Sequence, residues 1–87
     1  MYITEEARSA LKNLFDQYEA SNIRIFLEEQ SGDPEQLGFS LDMPEAHDAI
    51  QTINEIKVAI DPRILFLTED LTIDVQDTPQ GRGIVII

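Results

Sequence analysis

The 87 residues carry 17 acidic and six basic side chains, which give a net charge of −11, and they contain no cysteine. This charge repels the phosphates of nucleic acids and anionic membrane surfaces, so we expect neither as a partner. The lack of cysteine excludes disulfides, thiolate-held zinc or iron–sulfur clusters and cysteine nucleophiles. The length predicts a single domain over residues 1–87. With neither a signal peptide nor an apolar run approaching about 20 residues, we expect a cytoplasmic protein.

The first predicted element is an amphipathic helix over about 4–20. Thr4 is suited to cap it, and Glu5 and Glu6 follow in the first turn, at the positive end of the helix dipole. Apolar residues then recur along one helical face, at Ala7, Leu11, Leu14, Phe15 and Tyr18, which predicts that this face is buried. We expect Asn22 to stop the helix, because asparagine tolerates the left-handed conformation.

Two alternating apolar runs, 23–27 and 37–41, predict strands that pair as a hairpin around the loop 28–36. Residues 45–53 are ambiguous between a short helix and a strand. The next run, 56–60, alternates and predicts another strand. Asn54-Glu55 stands where a two-residue turn would join the two strands. Such turns favour Asn-Gly, so either Glu55 is mildly strained or the loop is longer.

Asp61-Pro62 predicts the start of a short second helix, in which Ile64, Leu65 and Leu67 are available for the core. Residues 71–75 alternate and predict a half-buried strand, and 77–83 are turn residues in which Gly81-Arg82-Gly83 forms a hairpin loop. Residues 84–87 predict a last strand. They are apolar on both faces, so we expect a central or covered position, whereas an edge position would favour self-association.

Eight short segments follow one another in an order typical of one family. They are Ile3-Thr4, Ile23-Arg24-Ile25, Glu28-Glu29-Gln30-Ser31-Gly32, the run 37–44 that starts Leu37-Gly38-Phe39, the hairpin 53–61, the helix 62–67, Ile73-Asp74-Val75 and the strand 81–86. In this order the chain resembles the HesB-like family, the IscA-like A-type iron–sulfur cluster carriers, over nearly its whole length. The resemblance implies an α+β fold: an N-terminal helix packed on a mainly antiparallel, mixed β-sheet sandwich of about six strands, with a short second helix.

The resemblance also implies a metal site, which this sequence does not complete. The family binds its cluster or iron through one loop cysteine and a later Cys-Gly-Cys, whereas here Gln30 matches the loop cysteine and residue 87 comes before a Cys-Gly-Cys would begin. Glu28 and Glu29 replace two loop glycines. A neutral amide oxygen is a poor substitute for a soft thiolate. We therefore expect no cofactor and no enzymatic activity.

The expected function is a non-catalytic protein-interaction or accessory module, with iron–sulfur biogenesis as the pathway that the resemblance suggests. The partner's identity and homo-oligomer formation stay open. The alternative is a hard divalent-cation site in the acidic loop Glu28, Glu29, Asp33 and Glu35, although the loop lacks the alternating ligands of a calcium loop. A third hypothesis makes His47, the single histidine, a general base with nearby carboxylates; an exposed loop histidine is the simpler interpretation.

Overall fold

The computed structural model describes residues 1–27 and 37–87, and this part of the chain contains seven strands, one α-helix and one 3₁₀ helix. In chain order these are β1 (Tyr2–Ile3), α1 (Glu5–Tyr18), β2 (Ile23–Leu27), β3 (Leu37–Ser40), β4 (Ala49–Ile53), β5 (Ile56–Ile60), the 3₁₀ helix (Pro62–Thr68), β6 (Thr72–Thr78) and β7 (Gly81–Ile86). No helix in the described ranges is both long enough and apolar enough to cross a membrane.

The strands form two mixed sheets, one of three strands in the order β1-β6-β7 and one of four strands in the order β3-β2-β5-β4. β1 pairs with β6 and β2 with β5 in parallel, and the other neighbours are antiparallel. The core joins both sheets to the helices through fully or nearly fully buried side chains: Ile3, Ala7, Leu11, Ile23, Ile25, Ile56, Val58, Ile60, Ile64 and Ile73. The predicted α+β fold, with an N-terminal helix on mixed sheets and a short second helix, is confirmed.

Helix α1 begins as predicted and ends earlier than predicted. The Thr4 hydroxyl accepts a hydrogen bond from the Ala7 amide at 3.2 Å and donates one to Asp74 at 2.8 Å. The left-handed residue after the last turn is Glu19 (φ 54°), not Asn22. Asn22 is instead buried, and its side-chain amide donates to the Asp42 carbonyl at 3.0 Å. Tyr18, predicted to face the core, is 66% exposed because it lies in the last turn, beyond the apolar residues that contact the sheets.

The two predicted hairpins are both present. β2 and β3 pair from Arg24↔Ser40 to Leu27↔Leu37. Residues 49–53 form a strand, which resolves the ambiguity of 45–53, and β4 joins β5 through a two-residue turn. Asn54 (φ 48°) and Glu55 (φ 69°) both adopt positive φ, as this turn requires. The Glu55 carboxylate pairs with Arg8 of α1 and, at 3.5 Å, with Lys12.

The Asp61-Pro62 helix start is also present. The Asp61 carboxylate accepts a hydrogen bond from the Arg63 amide at 3.0 Å, and Pro62 occupies the first turn of the 3₁₀ helix. Ile64 is buried, as predicted, whereas Phe66 on the same helix is 70% exposed.

The C-terminal hairpin is longer than the sequence predicts. β6 continues to Thr78 and β7 begins at Gly81, so most of the predicted turn 77–83 is strand. The outer end of this hairpin lies in solvent, and it therefore lacks the apolar alternation that marks a half-buried strand. The sequence predicts a central or covered position for the last strand; in the described chain β7 lies at the edge of its sheet and not at its centre. Its apolar character follows from Ile84 and Ile86, which pack against the core.

Candidate functional site

The loop predicted as the site lies outside the described residues. This applies to Gln30, which matches the family's loop cysteine, and to the cation candidates Glu28, Glu29, Asp33 and Glu35. The strands that carry the loop are described, and the pair Leu27↔Leu37 holds its two ends side by side. Within 1–27 and 37–87, no three histidine, aspartate or glutamate side chains come close enough together to hold a metal ion. The hard-cation hypothesis therefore stays a prediction about the loop.

An ion pair that no sequence pattern indicates lies beside these strands. The Arg24 guanidinium of β2 donates to both carboxylate oxygens of Asp48, with Nε–Oδ2 at 2.7 Å and Nη2–Oδ1 at 3.0 Å. Only 14% of the Arg24 side chain and 2% of the Asp48 side chain are exposed. Asp48 also accepts a hydrogen bond from the Glu45 amide at 2.9 Å, so the pair ties the turn before β4 to β2, two strands away in the same sheet.

The electrostatics of this cluster follow from its hydrogen bonds. The bond from Arg24 holds the pKa of Asp48 below its ordinary value, against the opposing effect of burial. The same bond raises the pKa of Arg24. Near this pair, hydrogen bonds from the Arg63 side chain and amide lower the pKa of Asp61 to about 2. These carboxylates are therefore anionic at neutral pH and already engaged by arginine.

His47 does not gain a catalytic partner from this cluster. It is exposed, in the turn before β4, and borders a depression of about 250 Å³ together with Arg24, Glu45, Asp48 and Arg63. No hydrogen bond joins His47 to another residue of the described ranges, and its neighbour Asp48 is committed to Arg24. A general base needs a positioned partner within hydrogen-bond reach. The simpler interpretation, an exposed loop histidine, agrees with this geometry.

A larger groove of about 820 Å³ runs between α1 and the edge strand β7. Both polar and apolar side chains line it: Glu6, Ser9, Ala10, Asn13, Leu14, Phe39, Val75, Arg82, Gly83 and Ile84. Arg82 spans the end of the groove, where it pairs with Glu6 of α1 and, at 3.5 Å, with Asp77 of β6. No sequence pattern indicates this groove, because its lining comes from four elements that are distant along the chain.

Comparison with known proteins identifies the fold. The chain is similar to IscA in the crystal structure of IscA with the [2Fe-2S] cluster, with a TM-score of 0.76 and 20% sequence identity over 99% of this chain and 82% of that chain. No protein-family model and no curated protein matches the chain. The similarity in structure bears out the IscA-like part of the resemblance drawn from the sequence. We conclude that this cysteine-free sequence adopts an IscA-like fold.

Proposed function

We propose that this chain is a non-catalytic protein-interaction module, accessory to iron–sulfur cluster assembly. One observation carries the proposal: an IscA-like fold extends over 99% of 87 residues that contain no cysteine. The solved IscA structure is one with a [2Fe-2S] cluster. Iron–sulfur clusters are held mainly by thiolates, and these residues offer none.

The surface of this cysteine-free fold is suited to binding proteins. It combines a well-packed framework, in which both sheets and α1 share one core, with a strongly acidic surface and an open groove beside an edge strand. Acidic surfaces steer association with basic partners, and edge strands accept added strands. The proposal therefore assigns the activity to the surface of the molecule and not to a bound metal.

Reconstitution tests the loss of cluster binding. The chain and IscA are incubated side by side, without oxygen, with ferrous iron and sulfide, then desalted and analysed for visible absorbance and for iron. We expect IscA to become coloured and this chain to stay colourless with substoichiometric iron. A stoichiometric chromophore that survives desalting would overturn the proposal.

Complex formation tests the accessory role. The chain is mixed with purified proteins of an iron–sulfur assembly system, singly and together, and analysed by size-exclusion chromatography. A complex with at least one of them supports the proposed pathway. If none of them binds, the link to iron–sulfur assembly is wrong, whatever the result of reconstitution.

A further inference from the structure

The outer edge of β7 has backbone groups available for pairing. Thr72 and Ile87 exchange both of their backbone hydrogen bonds, at 2.8 Å each. In an antiparallel ladder such pairs alternate, so Val85, Gly83 and Gly81 also bond to β6. The residues between them, Arg82, Ile84 and Ile86, therefore turn their amide and carbonyl groups away from β6. In the described part of the chain, no strand lies on that side of β7.

The groove lies directly beside this edge. Arg82, Gly83 and Ile84 of β7 line it, and Leu14 of α1 and Phe39 of β3 supply further apolar surface. In a strand added antiparallel to β7, residues opposite Ile84 and Ile86 would place their side chains on the same face as those isoleucines. This face packs against the core and borders the groove. The alternate residues of the added strand would face solvent.

The negative charge of the molecule favours a basic segment as the ligand of this groove and edge. A second copy of this chain also carries a net charge of −11, so two copies repel each other at low ionic strength. Glu6 lies in the groove wall, and Arg82 is already paired with Glu6 and Asp77, so the rim offers no excess of positive charge to an acidic ligand. A basic strand would experience attraction from the whole molecule and would satisfy the open edge.

We infer that the free edge of β7 and the adjoining groove form a docking site for an extended, basic segment of a partner protein, which pairs with β7 as an added strand. The inference rests on the proposed function as an interaction module and gives that function a location. The bound segment alternates apolar residues, directed into the groove, with lysine or arginine residues directed to solvent.

The probe is a blocked synthetic peptide, Lys-Val-Lys-Val-Lys-Val-Lys, titrated into ¹⁵N-labelled protein at low salt. We expect saturable shifts in β7 and slower amide hydrogen exchange at Arg82, Ile84 and Ile86. The amides of Gly83 and Val85, which already bond to β6, should change little. A peptide of the same composition with adjacent valines, and one with glutamate for lysine, serve as controls, and both should bind at least about tenfold more weakly.

A matched pair of variants tests the backbone contact. Arg82→Ala and Arg82→Pro both remove the ion pairs to Glu6 and Asp77, but only proline removes an outward amide. We expect Arg82→Pro to bind the peptide about tenfold more weakly than Arg82→Ala. If Arg82→Pro fails to fold, N-methylation of the peptide replaces it. Methylating the central valine should weaken binding to wild-type protein by a similar factor, whereas methylating a lysine should not.

Three outcomes would overturn the inference: shifts that map away from β7, equal binding of the alternating and rearranged peptides, or insensitivity to both backbone changes. Sedimentation without peptide adds a fourth, since a dimer at low salt that Arg82→Pro disrupts would assign the edge to a second copy. Reconstitution with iron and sulfide distinguishes a failure of this inference from a failure of the proposed function. If the protein stays colourless and does not bind the peptide, only the docking site is wrong. If it acquires a stoichiometric chromophore, the proposed interaction module is wrong.

Discussion

At the scale of single residues, the Arg24–Asp48 pair joins distant parts of the described chain. It is bidentate and its carboxylate is almost completely excluded from solvent. Each partner alone reads as an ordinary surface charge in the sequence. Twenty-four positions separate them, and only the pairing of β2 with β5, and of β5 with β4, brings them together. No pattern in a single sequence encodes that distance.

The first prediction concerns Asp48→Asn. The substitution leaves the half-buried Arg24 guanidinium without its bidentate partner, although the Glu45 carboxylate still lies 3.4 Å from it. We expect the free energy of unfolding at about pH 7 to fall by about 2 kcal/mol, measured by urea denaturation. The control is Asp70→Asn, which removes the same charge from an exposed position and should change stability by less than about 0.5 kcal/mol.

The same variant tests how the contribution of Asp48 to stability depends on pH. Because the folded pKa of Asp48 lies below its ordinary value of 3.8, its contribution to stability is fully present above that value. It is lost as the pH falls through the lower, folded pKa. The stability gap between wild type and Asp48→Asn should therefore be constant above about pH 5 and narrow as the pH falls below 3.8. A gap that stays constant down to the acid transition would show that the carboxylate charge is not what stabilises the turn.

At the scale of elements, the sequence predicts where the helices begin, but it predicts neither strand β1 nor the residue at which α1 ends. Thr4 and Asp61 cap helices through side chains that act on their immediate neighbours, so the sequence was sufficient. The two residues of β1 are too few to show a period, and that strand exists only because β6 offers a parallel edge. Helix α1 ends at Tyr18, and the left-handed residue that follows it is Glu19, although glutamate is not a typical residue for that conformation.

The second prediction follows from that helix end. Glu19 adopts φ 54° and also places a negative charge at the negative end of the helix dipole. Glu19→Gly removes both costs and should raise the free energy of unfolding by about 1 kcal/mol. Glu19→Ala, the control, removes the charge and keeps the Cβ, so it should stabilise less or not at all. Thermal and urea unfolding of the two variants measure the difference, and equal stabilities would contradict the assignment of strain to this residue.

At the scale of the whole molecule, charge opposes compaction. Seventeen acidic side chains face six basic ones, so repulsive pairs outnumber the attractive pairs that the arginines make. The surface ion pairs, such as Lys12–Glu55, contribute little individually because solvent screens them. Net repulsion is therefore the larger electrostatic effect on the stability of the fold.

The third prediction is a rise in stability with salt. Raising sodium chloride from about 0.01 M to about 0.3 M shortens the screening length from about 30 Å to about 6 Å. We expect the free energy of unfolding to rise by about 1 kcal/mol; a fall would show that the ion pairs outweigh the repulsion.

Magnesium chloride at matched ionic strength tests the hard-cation hypothesis. An additional, saturable gain that Glu28→Gln with Glu29→Gln abolishes would support the hard-cation hypothesis, since a ligand stabilises the state that binds it.

Features with a local cause are readable from the amino-acid sequence: the apolar face of α1, the alternation of the central strands, the helix caps and the absence of thiolates. The order of those elements was enough to predict an IscA-like fold. Three features follow from packing alone: the pairing of Arg24 with Asp48 across β5, the edge position of β7, and the groove between β7 and α1. Local patterns reflect hydrogen bonding and burial within a few residues, whereas pairs and grooves depend on distances between elements, which emerge only when the sheets pack.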